Sequence, residues 1–187
     1  MAATESKMLA LGTPLPAFTL PDVVSGRTVS SGALPGPRGV LVMFICNHCP
    51  YVIHIRERLV EVAHRALDAG FAVVAISSNS VRTHPQDGPG PMRQLATAEG
   101  WRFPYLYDET QAVAHAFAAA CTPDLFLFDA ARRLAYRGQF DDSRPSKDVP
   151  VTGKDLQAAL DALAAGAVPS PKQVPSIGCN IKWHPAA

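Results

Sequence analysis

Two runs of consecutive apolar residues, 39–45 and 71–76, dominate the hydrophobic pattern of the chain, and both are far shorter than a membrane span. Apolar runs of this length are typical of strands that are buried on both faces of a sheet. Between them, apolar residues recur at steps of three and four, which predicts a helix from Pro50 to a stop at Gly70. This order predicts a β-α-β unit with parallel strands and a right-handed crossover.

Shorter segments on either side of this unit carry the spacing of further strands and helices. The predicted strands lie at 125–128 and 133–140, and a hairpin extension with loops is predicted at 12–36. The predicted helices lie at 92–99, from 109 to about 119 after a cap at Asp108, and after a capping box formed by Thr152 and Asp155. We therefore expect one α/β domain over 1–187, with a flexible N-terminus at 1–11 and an extended C-terminal tail at 169–187.

The segment between the first apolar run and the helix is Cys46-Asn47-His48-Cys49. Two thiols with C-x-x-C spacing can close a small disulfide and reopen it. The start of the helix directs unpaired N–H groups and the positive end of its dipole at them, which favours a thiolate. We expect Cys46, outside the helix, to be the more exposed sulfur and the nucleophile, with a pKa lowered further by a cationic His48. Cys49 would then resolve the mixed disulfide.

A structural zinc site is the competing interpretation of a C-x-x-C pair, but it needs two more ligands at tetrahedral distance. Cys121 and Cys179 each stand alone in the sequence, and His48 and His54 would crowd the ligands onto one turn. We therefore predict redox use of the dithiol, with no metal and no cofactor. A metal-binding or redox-sensing module that uses the same thiols is the non-enzymatic alternative.

The order of elements resembles the thioredoxin-like fold, a central mixed β-sheet flanked by helices, over residues 12–165. The hairpin extension and the inserted helix at 92–99 resemble the branch of this fold that holds the peroxiredoxins and the bacterial membrane-anchored thiol reductases. Closer still, four segments resemble the bacterial peroxiredoxin-like, thioredoxin-family group that is related to AhpC/TSA. These segments are F-I-C-N-H-C-P-Y-V at 44–52, Thr122-Pro123-Asp124, G-Q-F-D-D-S-R-P at 138–145, and S-I-G-C-N-I-K-W at 176–183.

The resemblance implies a role for the loop Cys121-Thr122-Pro123. In thioredoxin-like proteins a cis-proline loop packs against the dithiol and offers backbone groups to a bound peptide. We therefore expect a cis Thr122-Pro123 bond and a substrate-binding role for both residues. Cys121 in this loop and Cys179 in the tail are candidates for additional redox thiols. For each of the two, packing as a small buried hydrophobe is the alternative.

The resemblance also implies thiol–disulfide exchange through a mixed disulfide, and its peroxiredoxin side leaves hydroperoxide reduction as an alternative. Peroxiredoxins carry P-x-x-x-T-x-x-C up to the peroxide-reactive cysteine. Counting back from Cys49 puts Val42 and Cys46 at the proline and threonine positions, and counting back from Cys46 puts Gly39 and Met43 there. The missing threonine hydroxyl favours disulfide exchange over fast peroxide reduction.

The charge of the chain excludes other classes of partner. The formal net charge is +1, with lysine and arginine scattered, so no basic stripe is available for nucleic acid or for anionic lipids. The N-terminus lacks the pattern of a secretion signal, which predicts a cytoplasmic protein whose thiols rest mostly reduced. We expect a disulfide-containing protein or a small thiol compound as substrate and a dithiol protein or small thiol as reductant, and either a monomer or a homodimer.

Overall fold

The computed structural model of the protein describes residues 3–185. The strands are β1 (Ala3–Glu5), β2 (Thr19–Pro21), β3 (Thr28–Ser30), β4 (Gly39–Phe44), β5 (Ala72–Ser77), β6 (Tyr105–Tyr107), β7 (Cys121–Thr122), β8 (Asp124–Asp129), β9 (Leu134–Gly138) and β10 (Ile177–Asn180). The α-helices are α1 (Pro50–Asp68), α2 (Pro89–Ala98), α3 (Ala112–Ala116) and α4 (Lys154–Ala164). Within this part of the chain, no helix has the length and apolarity needed to cross a membrane.

Five strands form the central sheet, in the order β6-β5-β4-β8-β9. β4 lies parallel to β5 and β5 parallel to β6, whereas β8 runs antiparallel to both β4 and β9. The predicted β-α-β unit is present, since α1 connects the parallel strands β4 and β5. The central mixed sheet flanked by helices confirms the predicted thioredoxin-like α/β fold class.

Both faces of β4 are buried, which explains why its sequence is apolar without alternation. On one face, Leu41 and Met43 belong to the cluster that includes the buried side of α1. On the other face, Phe44 meets the rings of Phe117 and Phe126 edge to face, at centroid distances of 5.2 and 5.8 Å. The end of β4 is therefore fixed from both sides, and it provides a rigid base for the dithiol segment that follows.

The third helix begins later than predicted. Gln111 has a left-handed backbone conformation with φ of 63°, and α3 starts only after it. The Asp108 carboxylate still accepts hydrogen bonds from the N–H groups of Val113 and Ala114, at 3.3 and 2.9 Å. Asp108 therefore caps the N–H groups of the helix as predicted, although it lies several residues before the helix begins. The helix itself is shorter than the predicted one.

The predicted capping box at Thr152 and Asp155 is wrong, because α4 begins after Gly153 and has no side-chain hydrogen bond from its N-cap. The side chain of Asp141 stabilises the start of α4 instead. Its Oδ2 accepts the N–H groups of Thr152 and Gly153, each at 2.6 Å, and its Oδ1 accepts the N–H and hydroxyl of Ser143. Burial opposes ionisation of Asp141, but these hydrogen bonds outweigh it and hold the pKa of the carboxyl below its usual range.

The two ends of the chain are ordered differently from the expectation. Residues 3–5, expected to be part of a flexible N-terminus, form β1, which pairs antiparallel with β10 of the tail. β10 also pairs with β7 on its other side, so the extended tail contributes the central strand of a three-stranded sheet. The predicted N-terminal hairpin is confirmed by the pairing of β2 with β3. Residues 1–2 and 186–187, which the expectations for the two ends include, lie outside the described residues.

Asp141→Asn should lower the free energy of unfolding by about 2 kcal/mol at pH 7, because a neutral amide leaves some of these buried donors unpaired. Since the folded-state pKa of Asp141 is lowered, this contribution is complete above the pKa of the unfolded carboxyl and is lost as the pH falls through the folded value. Urea denaturation measures both effects.

Asp142→Asn is the matched control for this comparison. Asp142 is exposed and contacts Lys154 at 2.9 Å, so its replacement should change the unfolding free energy much less than Asp141→Asn does. Equal destabilisation by the two variants would contradict the role given to Asp141.

Candidate active site

The dithiol segment joins the end of β4 to α1, and Cys49 is the N-cap residue of that helix. Thr122 contacts both sulfurs. Sγ of Cys46 lies 3.4 Å from the Thr122 hydroxyl, and the Cys49 thiol donates to the Thr122 carbonyl oxygen at 3.1 Å. The peptide bond that follows, Thr122-Pro123, is cis as predicted. The structure thus brings the two cysteines together with the loop that the sequence singled out.

Neither sulfur is open to solvent. The exposed fraction is 1% for Cys46 and 0% for Cys49, and both are free thiols. The expectation that Cys46 is the more exposed sulfur holds only by this small margin, because both cysteines are buried. The physical reason is that the segment folds inward, so that Cys46 packs against Thr122 instead of projecting from the surface.

A hydrogen bond between the two thiols sets the acidity of Cys49. The hydrogen bond from Cys46 is the largest contribution, and it lowers the pKa of Cys49 to about 5. Burial acts in the opposite direction. Hydrogen bonds from the side chains of Cys179 and Thr122 and from the N–H of Val52 reinforce the lowering. The thiolate is therefore favoured at Cys49, the N-cap residue, mainly by the neighbouring thiol and to a smaller extent by the N–H of Val52 in the helix.

The expected lowering of the Cys46 pKa is wrong. The hydrogen bond with Cys49 raises the pKa of Cys46 well above its usual value, and burial and the charge of Asp87 raise it further. Because the two thiols are coupled by a hydrogen bond, they lose their protons in two steps, and the apparent pKa of each step describes the pair rather than one residue. The first proton leaves a thiolate that is centred on Cys49.

His48 is held by a carboxylate rather than by the thiol beside it. Its Nδ1 lies 2.5 Å from Oδ2 of Asp87 and 4.0 Å from Sγ of Cys46. The Asp87 side chain is completely buried, and its Oδ1 accepts the N–H groups of Asn47 and His48 at 2.8 and 3.2 Å. His84, whose ring stacks on His48 at 4.8 Å, completes the cluster. Asp87 therefore orients both the backbone and the imidazole of the dithiol segment.

Sequence reasoning missed Asp87, which lies 39 residues from His48 in a polar loop. A usable signal was the parallel pairing of β4 with β5, because the loops that follow parallel neighbours leave the same edge of a sheet. An acidic residue after β5 is thus placed to meet the segment after β4. Asn79, in the same loop, donates to Oδ2 of Asp87 at 2.9 Å and fixes the carboxylate.

Cys46, His48 and Asp87 are the one group among the described residues that could jointly hold a metal ion, with ligand atoms within 4.8 Å of one another. Both Asp87 oxygens already accept hydrogen bonds from protein donors, so an ion would have to displace at least the His48 ring. His54, the other candidate ligand from the sequence, is not in this group. The Asp87 carboxylate is therefore fully engaged by protein donors, whereas Nε2 of His48 is buried without a hydrogen-bond partner.

The two remaining cysteines lie behind the dithiol. Cys179, in β10, is buried and has its side chain within hydrogen-bonding reach of Cys49; burial first and this contact second raise its pKa to about 12. Cys121 is buried in β7, and its Sγ lies 3.5 Å from the Pro123 carbonyl oxygen. Burial, together with the nearby charge of Asp124, raises the pKa of Cys121. Both are neutral thiols at pH 7, and Cys179 is the one in contact with the dithiol.

The model of the AhpC/TSA family matches residues 11–137. The chain belongs to the AhpC/TSA family. This membership supports a thioredoxin-like redox function. The search of curated proteins found no match.

Two solved structures match this AhpC/TSA family protein over nearly all of both chains. An uncharacterized conserved protein from Geobacillus kaustophilus is 48% identical, with a TM-score of 0.97 over 100% of this chain and 99% of that chain. A hypothetical protein from Sinorhizobium meliloti 1021 is 46% identical, with a TM-score of 0.94 over 98% of this chain and 100% of that chain. Neither name states an activity.

A more distant match comes from the thioredoxin domain of a thiol-disulfide oxidoreductase from Bacteroides vulgatus. It is 20% identical, with a TM-score of 0.57 over 69% of this chain and 88% of that chain. At this identity the match shows the thioredoxin-like fold alone.

Titration of the reduced protein, followed by thiolate absorbance near 240 nm, should show one thiolate per chain forming near pH 5. Cys49→Ser should abolish this step. Cys46→Ala removes the largest hydrogen bond to Cys49 and should raise the pKa of the step, whereas Cys46→Ser keeps a hydroxyl donor and should preserve most of the lowering. A low-pH step that survives Cys49→Ser but is lost in Cys46→Ser would reverse the assignment.

Proposed function

We propose that the protein is a thiol–disulfide oxidoreductase whose reactive groups are Cys46 and Cys49. The observation that carries the proposal is the pair of free thiols at a helix start, both in contact with Thr122. The hydrogen bond from Cys46 lowers the pKa of Cys49. Thiolate is the reactive form of cysteine, so a dithiol of this kind is ready for exchange at neutral pH. Membership of the AhpC/TSA family agrees with a redox role.

In the first step, Cys46 is the attacking sulfur. Cys49 is enclosed by Thr122 and Cys179, whereas Cys46 lies beside the partly exposed His48. The proton of Cys46 passes along the shared hydrogen bond to Cys49, and the Cys46 thiolate attacks one sulfur of the substrate disulfide. The substrate S–S bond breaks, a mixed disulfide forms at Cys46, and the first substrate sulfur leaves as a thiol after taking up a proton.

In the second step, Cys49 gives up its proton to water, which also supplies the protons that the leaving substrate sulfurs take up, and attacks the sulfur of Cys46. The Cys46–Cys49 disulfide forms and the second substrate thiol leaves, so the substrate gains the two electrons that the dithiol loses. The Cys46 thiol no longer donates to Cys49 in the mixed disulfide, but the hydrogen bonds from Cys179, Thr122 and the N–H of Val52 still favour the Cys49 thiolate for this resolving attack. An external dithiol protein or small thiol then reduces the disulfide, and no cofactor takes part.

His48 and Asp87 serve this cycle as positioning residues. The Asp87 carboxylate fixes the His48 ring and the N–H groups of the segment, so the two sulfurs keep their separation while the disulfide closes and opens.

We also propose that the protein works in the cytoplasm, where cysteines of this kind stay reduced between turnovers.

Reaction with 5,5′-dithiobis(2-nitrobenzoate) tests the assignment of the sulfurs. The reduced wild-type protein should release two equivalents of nitrothiobenzoate rapidly and end with a Cys46–Cys49 disulfide. Cys49→Ser should release one equivalent and retain a mixed disulfide at Cys46, because no resolving thiol is present. Cys46→Ser should lose the rapid phase.

Cys121→Ala is the control, because the Cys121 sulfur contacts carbonyl oxygens instead of the dithiol, and it should keep the two-equivalent release. If Cys46→Ser formed a stable adduct at Cys49 as fast as the wild type reacts, Cys49 would be the attacking sulfur and Cys46 the resolving one. Slow release of the kind given by a free thiol in every variant would contradict the proposed function itself.

Hydroperoxide reduction is the second candidate function, and the observation in its favour is a buried thiol with a pKa of about 5 in a member of the AhpC/TSA family. In that reaction a thiolate would become a sulfenic acid that the other cysteine resolves. Stopped-flow mixing of the reduced protein with hydrogen peroxide distinguishes the two functions. A rate far above that of a free thiol, lost in Cys49→Ser or Cys46→Ser, would favour the peroxidase over disulfide exchange.

A further inference from the structure

The strand edge next to the dithiol is the backbone of Thr122. Its side chain and its carbonyl oxygen contact Cys46 and Cys49, respectively, so a chain that lies along this edge lies across both sulfurs. An extended polypeptide commonly binds an exposed strand edge through main-chain hydrogen bonds. This edge is therefore the place where a disulfide in a polypeptide would approach the reactive sulfurs.

In this protein the edge is already occupied by its own chain. β10 pairs antiparallel with β7, with Cys179 opposite Thr122 and Asn180 opposite Cys121. The fit is tight at Gly178, where a Cβ atom would lie 2.0 Å from the Thr122 carbonyl oxygen. Its backbone conformation does not require glycine, so the lack of space alone selects glycine at this position.

The residues after β10 are tied firmly to the rest of the fold. The N–H of Ile181 donates to the Ala120 carbonyl oxygen at 3.1 Å, and the N–H of Lys182 donates to Asn79 Oδ1 at 2.8 Å. Ser80 N–H donates back to the Lys182 carbonyl oxygen at 2.8 Å. Asn79 also binds Asp87, so the same side chain anchors the tail and the carboxylate that orients the dithiol segment.

The strand before these anchors is held from its outer side as well. β1 pairs with β10 along Ala3–Glu5, and the Ser176 hydroxyl donates to the Gly138 carbonyl oxygen at 2.6 Å. β10 is thus the middle strand of its sheet, with hydrogen-bonded neighbours on both sides. It is a built-in part of the site rather than a loose cover.

We propose that the dithiol acts on low-molecular-weight disulfides and excludes disulfides within polypeptides, because β10 fills the edge on which a peptide would lie. The inference rests on the proposed disulfide exchange and names its substrate class. A small disulfide needs no strand edge and can approach Cys46 from the side of the partly exposed His48. The exchange chemistry is the two-step reaction given above, with the small disulfide reduced to two thiols.

The test compares 2-hydroxyethyl disulfide with insulin as oxidants of the fully reduced wild-type protein. Acid quenching, alkylation and mass spectrometry give the second-order rate constant for each oxidant. Each constant is then divided by the rate constant for the reaction of dithiothreitol with the same disulfide. The normalised constant should be at least about a hundredfold larger for the small disulfide, since exchange depends on access to the sulfur. Comparable constants would overturn the inference and leave the disulfide exchange standing. No reaction with either would contradict the proposed function as well.

Gly178→Val tests whether β10 is the excluding element, because its side chain cannot fit against Thr122 and must move β10 away from the edge. The insulin rate should rise about tenfold or more, with a smaller change for the small disulfide. Gly32→Val, at a glycine with open space around its Cβ position, is the matched control and should behave like the wild type. A folded Gly178→Val protein, as judged by circular dichroism, with an unchanged insulin rate would contradict the role of β10. If this variant does not fold, the wild-type comparison decides.

Discussion

The contact of Thr122 with both sulfurs is the interaction on which the rest of the site depends. It follows from the pairing of β4 with β8, in which Phe44 lies opposite Asp124. Because the strands are antiparallel, the residues just after Phe44 meet the residues just before Asp124, and these are the dithiol segment and the Thr122-Pro123 loop. A slip of one residue would turn every side chain of β8 to the other face, so the buried faces of both strands fix this contact.

Burial has two opposite effects on the dithiol. It opposes the formation of a thiolate, and the hydrogen bonds to Cys49 have to overcome this cost before the pair can react. Burial also closes both sulfurs to solvent and lets the chain itself supply the third thiol neighbour, Cys179. The completely buried carboxylate of Asp87 is tolerated because four donors, two from backbone and two from side chains, satisfy it.

The sequence was sufficient for the parts of the structure that rest on local patterns. The apolar runs predicted β4 and β5, the three-and-four spacing predicted α1, and the C-x-x-C segment and Thr122-Pro123 were both placed at one site. The features it missed come from contacts between distant residues. Asp87 acts on His48, and Asp141 replaces the predicted cap of α4, through hydrogen bonds that no local spacing encodes.

The same limit explains the errors about acidity and about the ends of the chain. A position outside the helix suggested that Cys46 is the more accessible sulfur, but its burial depends on Thr122, which is 76 residues away. The extended tail carried no helical or alternating pattern, so its pairing with β1 and β7 could be seen only in three dimensions. A thiol pair whose protons are shared also has acidities that neither residue determines alone.

The central claim is that Cys46 and Cys49 form the redox pair, and a titration in glutathione redox buffers tests it most directly. After alkylation, trypsin should release both cysteines in the peptide 39–56, with Cys121 in 103–132 and Cys179 in 173–182. The account predicts that peptide 39–56 alone changes, from two alkyl groups to an internal disulfide, with a tenfold shift in equilibrium for about 30 mV. A peptide 39–56 that stays fully alkylated under oxidising conditions, or that becomes linked to 173–182 instead, would contradict the account.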